Sequence, residues 1–174
     1  AVENHGGDLR ASELKALIEE AGPDFVGACL DSGNLLMTLD VPLAALEILA
    51  PYVLTSHVRD SQIWRTPQGV AVRWVSMGEG NVGIAEYLRR YIELCPDRAL
   101  SLETIAIEPR YLNCLEPDFW DAYRAVPGWE FARYFALAER GQPPASIEPL
   151  RDEEAAPRER QDLEASIRFC REVL

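Results

Sequence analysis

Short, almost wholly apolar runs alternate along the chain with segments in which apolar residues recur three or four positions apart. The runs at residues 25–30 (FVGACL), 51–56 (PYVLTS) and 99–102 (ALSL) lack polar alternation, which suits parallel strands buried on both faces. They end directly on Asp31, His57 and Glu103. Ala1 and Val2 read as the tail of a fourth such strand, ending on Glu3. Between the runs lie helical patterns. Ser12 is placed to cap a helix bearing Leu14, Leu17, Ile18 and Ala21, stopped by Gly22-Pro23. Asp40 is placed to cap a second, with Pro42 in its first turn and Leu43, Leu46, Ile48 and Leu49 following. A third covers residues 83–94, with Ile84, Leu88, Tyr91 and Ile92 on one side. Strand and helix in alternation predict right-handed βαβ crossovers and an α/β fold.

From Glu116 onward the pattern turns helical, and Trp120, Tyr123, Trp129, Phe131, Tyr134 and Phe135 read as packing residues rather than a ligand cage. Residues 141–149 (GQPPASIEP) read as a loop, and the charged tail reads as helix from Pro157. No internal repeat is evident. The expected organisation is therefore an α/β unit over residues 1–140 and a loop with a helical extension over 141–174.

Composition narrows the classes. With 48% apolar and 26% charged residues in 174, the chain is a globular domain with enough length for one well-filled core. Its 17 basic against 29 acidic residues leave a net charge of −12, which argues against nucleic acid and anionic lipid as partners. No apolar run reaches the roughly 18–20 residues that span a bilayer. The acidic start, with Glu3 and Asp8, does not resemble a signal peptide. Cys29, Cys95, Cys114 and Cys170 lack CxxC spacing and read as buried thiols of a cytoplasmic protein. The start at Ala1 rather than Met reads as a processed or excised piece.

The strand-end residues carry the chemistry. In an α/β barrel the carboxyl ends of the strands converge on one face, where catalytic groups sit. Three carboxylates and an imidazole meeting there would repel one another unless a cation joined them. Such an oxygen-dominated set favours Mn²⁺, Mg²⁺ or Co²⁺. The alternative is that these strand ends are polar only because they reach solvent.

Five motifs occur in order: Glu3-Asn4-His5-Gly6, Asp31-Ser32-Gly33-Asn34, His57-Val58-Arg59-Asp60, Gly78-Glu79-Gly80 and Ser101-Leu102-Glu103. Together they resemble the sugar phosphate isomerase/epimerase family, the xylose-isomerase-like TIM barrels, over about residues 1–135. The resemblance implies that Glu3, Asp31, His57 and Glu103 bind one divalent metal and that the two glutamates transfer protons at the substrate. It also implies that these are the last four strands of an eight-strand barrel. The chain then corresponds to the C-terminal half, since a full barrel takes about 250 residues. A small carbohydrate is the expected substrate, and the missing N-terminal half-barrel or a second copy of the chain is the expected partner.

Moving a proton beside a carbonyl requires stabilisation of the enediolate oxygen, which a cation supplies, and carboxylates to take and return the proton. Transfers on one face give aldose–ketose isomerisation, and on opposite faces epimerisation. Expulsion of a β-hydroxyl from the same enediolate would make a polyol dehydratase. A non-catalytic half-barrel that folds only by pairing is the rival from another class.

His5 and Asn34 are candidate substrate contacts, though Asn34 could instead shape the turn after Gly33. Asp60 is placed to orient His57 or touch a ligand, and Arg59 to meet a phosphate or carboxylate; either could form a loop ion pair instead. Arg65 and Arg73, read on the same long loop, are further anion candidates, and Gly78-Glu79-Gly80 reads as a turn into the next helix. Schiff-base chemistry is disfavoured because the sole lysine, Lys15, sits in a predicted surface helix. The two histidines and Asn34 do not suit the three-zinc, histidine-rich site of the DNA-repair endonucleases that share this barrel.

Overall fold

The computed structural model describes residues 1–105, 107–145, 147 and 152–174, the last segment without the side chain of Asp152. The first three strands are short and parallel: β1 (Val2–Glu3), β2 (Ala28–Asp31) and β3 (Val53–His57), in the order β1-β2-β3. Register aligns Glu3 with Cys29, Cys29 with Thr55, and Asp31 with His57, with an irregularity between Ala28 and Cys29. Helices α1 (Ala11–Ala21) and α2 (Pro42–Leu49) link them as βαβ units. The expected strand at residues 99–102 is reduced to a single parallel bridge between Val58 and Leu102. Val58 N–H donates to the Ser101 carbonyl at 2.7 Å and Glu103 N–H to the Val58 carbonyl at 3.0 Å. The segment therefore runs beside β3 as a fourth pass and sets Glu103 next to His57. This is a mixed α/β fold with a parallel three-stranded sheet.

Strand β2 is buried on both faces as expected, whereas β1 and β3 are only partly buried. Ala28 and Leu30 point to one side, where they join Leu14, Ile18, Leu46, Leu49, Tyr87 and Leu88 in a core beneath α1, α2 and α3 (Ile84–Leu94). Alternation turns Cys29 and Asp31 to the other side, and register brings Glu3, Thr55 and His57 with them. Glu3, Thr55 and His57 are partly exposed. One face holds the fold together and the other is polar. Leu17, Ile48 and Ile92, expected on the packed faces of their helices, are exposed instead.

The long loop expected after His57 is a second, antiparallel sheet. Strand β4 (Asp60–Thr66) pairs with β5 (Gly69–Val75), and β5 with β6 (Arg110–Leu112). The aromatic stretch forms a 3₁₀ segment at Pro117–Asp121 and then α4 (Gly128–Arg140). It packs on this sheet as a second core of Ile63, Val70, Val72, Tyr134 and Leu137, flanked by Phe119, Trp120, Tyr123 and Phe131. Two cores thus replace the single one expected. Trp129 is the exception to the packing assignment and lies exposed.

Helix α5 (Asp152–Val173) begins before Pro157 and contains it. It docks where Ser76 Oγ donates to Asp162 at 3.0 Å and Met77 N–H to Ser166 Oγ at 3.0 Å. In the expected loop at 141–149, residues 146, 148 and 149 lie outside the described residues. All four cysteines are buried free thiols. Among the described residues no helix is long and apolar enough to cross a membrane.

Candidate metal centre

The carboxyl ends of β1, β2 and β3 and the segment beside them deliver Glu3, Asp31, His57 and Glu103 to one place. One ligand atom from each lies within 4.8 Å of all the others.

Asp31 is the fixed point. Its carboxylate is fully buried, and Oδ1 accepts the backbone N–H groups of Gly33 at 2.8 Å and Asn34 at 3.0 Å. Its Oδ2 accepts Asn34 Nδ2 at 2.8 Å and Arg59 Nη2 at 2.6 Å. Burial outweighs these stabilising partners and raises the carboxyl from 3.8 to about 6. The Asn4 amide clamps the same strand end through the Asp31 backbone N–H and carbonyl, both at 2.8 Å. Asn34 Nδ2 also reaches Glu3 Oε1 at 3.2 Å.

Arg59, on the connection out of β3, is buried with its guanidinium bridging Asp31 and Glu103. Its charge lies 3.9 Å over the Trp74 ring from β5. The other wall is Gly33, where an added Cβ would lie 2.4 Å from Arg59 Cγ and 2.5 Å from Cδ. Ser32 holds the Arg59 backbone, accepting from its N–H at 3.0 Å and donating to its carbonyl at 2.7 Å.

His57 Nδ1 is buried and has no hydrogen-bond partner among the described residues. It faces Glu3 Oε1 and Glu103 Oε2 at 3.4 Å each. Three carboxylates gather around the His57 imidazole with a single guanidinium beside them, an acidic excess of the kind a divalent cation neutralises. The orphaned nitrogen and the oxygen-rich donor set both fit such an ion.

The remaining candidates stand apart. Asp60 turns away from His57 and accepts N–H bonds from Ser61 at 2.7 Å and from Gly78 and Gly80 at 2.9 Å each. The Gly78-Glu79-Gly80 turn is thus the partner of this carboxylate. His5 is exposed in the turn after β1. Arg65 pairs with Glu139 and Arg73 with Gln62, both on the hairpin side rather than in the cluster. The sequence does not single out Asn4, Gly33 or Trp74 as individual members of the site, nor Cys29, which lies beside the four ligands without being one of them. Cys29 lies two residues before Asp31 on the same strand, a period-2 signal that would have found it.

No family model matches the chain. Over 96 residues it is 27% identical to the uncharacterized protein YihM of Escherichia coli (strain K12), a match that takes in 55% of this chain and 29% of that protein. The chain therefore spans less than a third of the length of that curated relative. It is also similar to the crystal structure of a xylose isomerase domain protein from Planctomyces limnophilus. There the identity is 25% and the TM-score 0.48, over 58% of this chain and 37% of that one.

Proposed function

We propose that the chain carries the metal centre of a divalent-metal-dependent isomerase or epimerase acting on a small sugar, sugar phosphate or hydroxy-keto acid. The observation that carries this reading is the meeting of Glu3, Asp31, His57 and Glu103 on the polar face of a parallel sheet. The sequence motifs that contain these four residues support the same reading. These four residues would hold an ion of the Mn²⁺, Mg²⁺ or Co²⁺ class, which when bound supplies Lewis-acid stabilisation of the oxyanion developing beside a carbonyl.

Exposure divides the work among the carboxylates. Asp31, with no exposed side-chain area and four donors upon it, can hold but not travel. Glu3 and Glu103 are 31% and 32% exposed and stand on either side of His57, so they are the groups that reach a substrate. In this reading one takes the proton from the carbon next to the carbonyl and the other returns it. Arg59 steadies Glu103, and Asn34 steadies Glu3. The three strands and the pass beside them are consecutive staves of a barrel, with the carbohydrate over their carboxyl ends.

Solvent-deuterium exchange tests the assignment. The Mn²⁺-loaded protein, offered a panel of small aldoses, ketoses, their phosphates and hydroxy-keto acids in D₂O, should place deuterium at the carbon next to the carbonyl. Glu103→Gln should lower that rate by about 100-fold or more. Equal incorporation by the variant would remove Glu103 from the chemistry, and none with any substrate class would contradict the reaction.

A further inference from the structure

The polar face holds a second donor set. Glu3, Cys29 and His57 also bring one ligand atom each within 4.8 Å of one another. Cys29 leaves β2 on the same face as Asp31 and pairs in register with Glu3 and Thr55. It is a free thiol, 6% exposed.

What distinguishes this set is that its members are uncommitted. Asp31 is bound by two backbone N–H groups, an amide and Arg59, and Glu103 is paired with Arg59. By contrast, Glu3 accepts a single 3.2 Å amide bond, His57 Nδ1 has no hydrogen-bond partner among the described residues, and Cys29 is a free thiol. A thiolate, an imidazole and a carboxylate form a borderline-soft set, the kind that binds zinc through three protein ligands and leaves a fourth position open. Cys95 and Cys170 lie in the apolar core beneath the helices and Cys114 in the second core, and none belongs to a three-ligand group among the described residues.

We propose that Glu3, Cys29 and His57 form a three-ligand site for a thiophilic divalent cation of the Zn²⁺ class. It shares Glu3 and His57 with the four-ligand set, so one ion excludes the other, and thiophilic metals act as inhibitors of the hard-metal form. The inference rests on the same cluster but not on the isomerase reading. On binding, the Cys29 S–H bond breaks, a sulfur–metal bond forms and the proton passes to solvent, with no change of oxidation state.

Cd²⁺ is the probe, because its bond to a thiolate gives an ultraviolet charge-transfer band. The wild-type chain should develop this band to saturation at one ion per chain, and Cys29→Ser should lose it while still binding Mn²⁺. His57→Ala should weaken Cd²⁺ binding by about 10-fold or more. The cadmium-113 chemical shift of the wild-type complex, which needs no variant, should report one sulfur among nitrogen and oxygen donors. A band that persists in Cys29→Ser, a shift without sulfur, or an unchanged titration in His57→Ala would overturn the site. Mn²⁺ binding with no Cd²⁺ band would overturn this inference alone. A Cd²⁺ band lost in Cys29→Ser, with no Mn²⁺ binding to the wild type, would overturn the four-ligand reading alone.

Discussion

Asp60 follows Arg59 directly in the chain but serves the opposite side of the connection. Its buried carboxyl is raised by desolvation from 3.8 to about 6, against the pull of the Gly80, Ser61 and Gly78 N–H groups. A carboxyl that binds its proton more tightly when folded stabilises the fold in acid. That contribution is complete below about pH 3.8 and is lost as the pH rises through about 6. A shift of this size corresponds to about 3 kcal/mol. Asp31 is shifted in the same direction for the same reason. Asp60→Asn should therefore flatten, without abolishing, the fall in urea midpoint between about pH 4 and pH 7. Parallel falls in variant and parent would contradict the assignment. At this scale the sequence is informative about identity and weak about partners. Glu3, Asp31, His57 and Glu103 are visible as polar residues ending apolar runs. That Asp60 serves the 78–80 turn, and that Arg59 lies between Gly33 and Trp74, depends on contacts made across long sequence separations.

Helix α1 shows how an element is fixed from outside itself. Ser12 is not its cap. The Glu13 carboxylate accepts the Arg10 N–H at 2.9 Å, and the Ala11 N–H donates to Asp40 Oδ2 at 2.8 Å. Asp40 was expected to cap α2, but it serves α1 and receives Arg10 Nη2 at 2.9 Å. Arg10 in turn reaches Glu130 of α4 at 2.7 Å. Asp40 thus ties the start of α1 to the loop before α2, and Arg10 extends the link to the start of α4. Asp40→Ala removes a helix-terminal acceptor and one partner of a buried guanidinium, and should cost about 2–4 kcal/mol in urea unfolding. A loss below about 0.5 kcal/mol, the range of ordinary surface substitutions, would contradict this role. The hairpin of β4 and β5 was legible in principle. Thr66-Pro67-Gln68-Gly69 is a turn between segments rich in β-branched and aromatic residues. The βαβ expectation instead assigned everything between β3 and α3 to a loop.

Across the whole molecule, charge and hydrophobicity are segregated. The apolar residues of the parallel strands face three helices, a second core holds the hairpin to α4, and the polar strand ends gather on the remaining face. That face is why the expectation of strands buried on both sides holds for β2 but not for β1 and β3, where Glu3 and His57 are partly exposed ligands rather than packing residues. Within a chain of net charge −12, the cluster concentrates three carboxylates around an unpaired imidazole nitrogen, held by one arginine. The proposed metal centre requires these four residues to act together on one ion. Calorimetric titration of the protein with Mn²⁺, repeated on Asp31→Ala, tests this most directly. One-site binding is expected in the parent, with a loss of affinity of about 100-fold or more in the variant. Indistinguishable titrations of the two, or no binding by the parent, would contradict it.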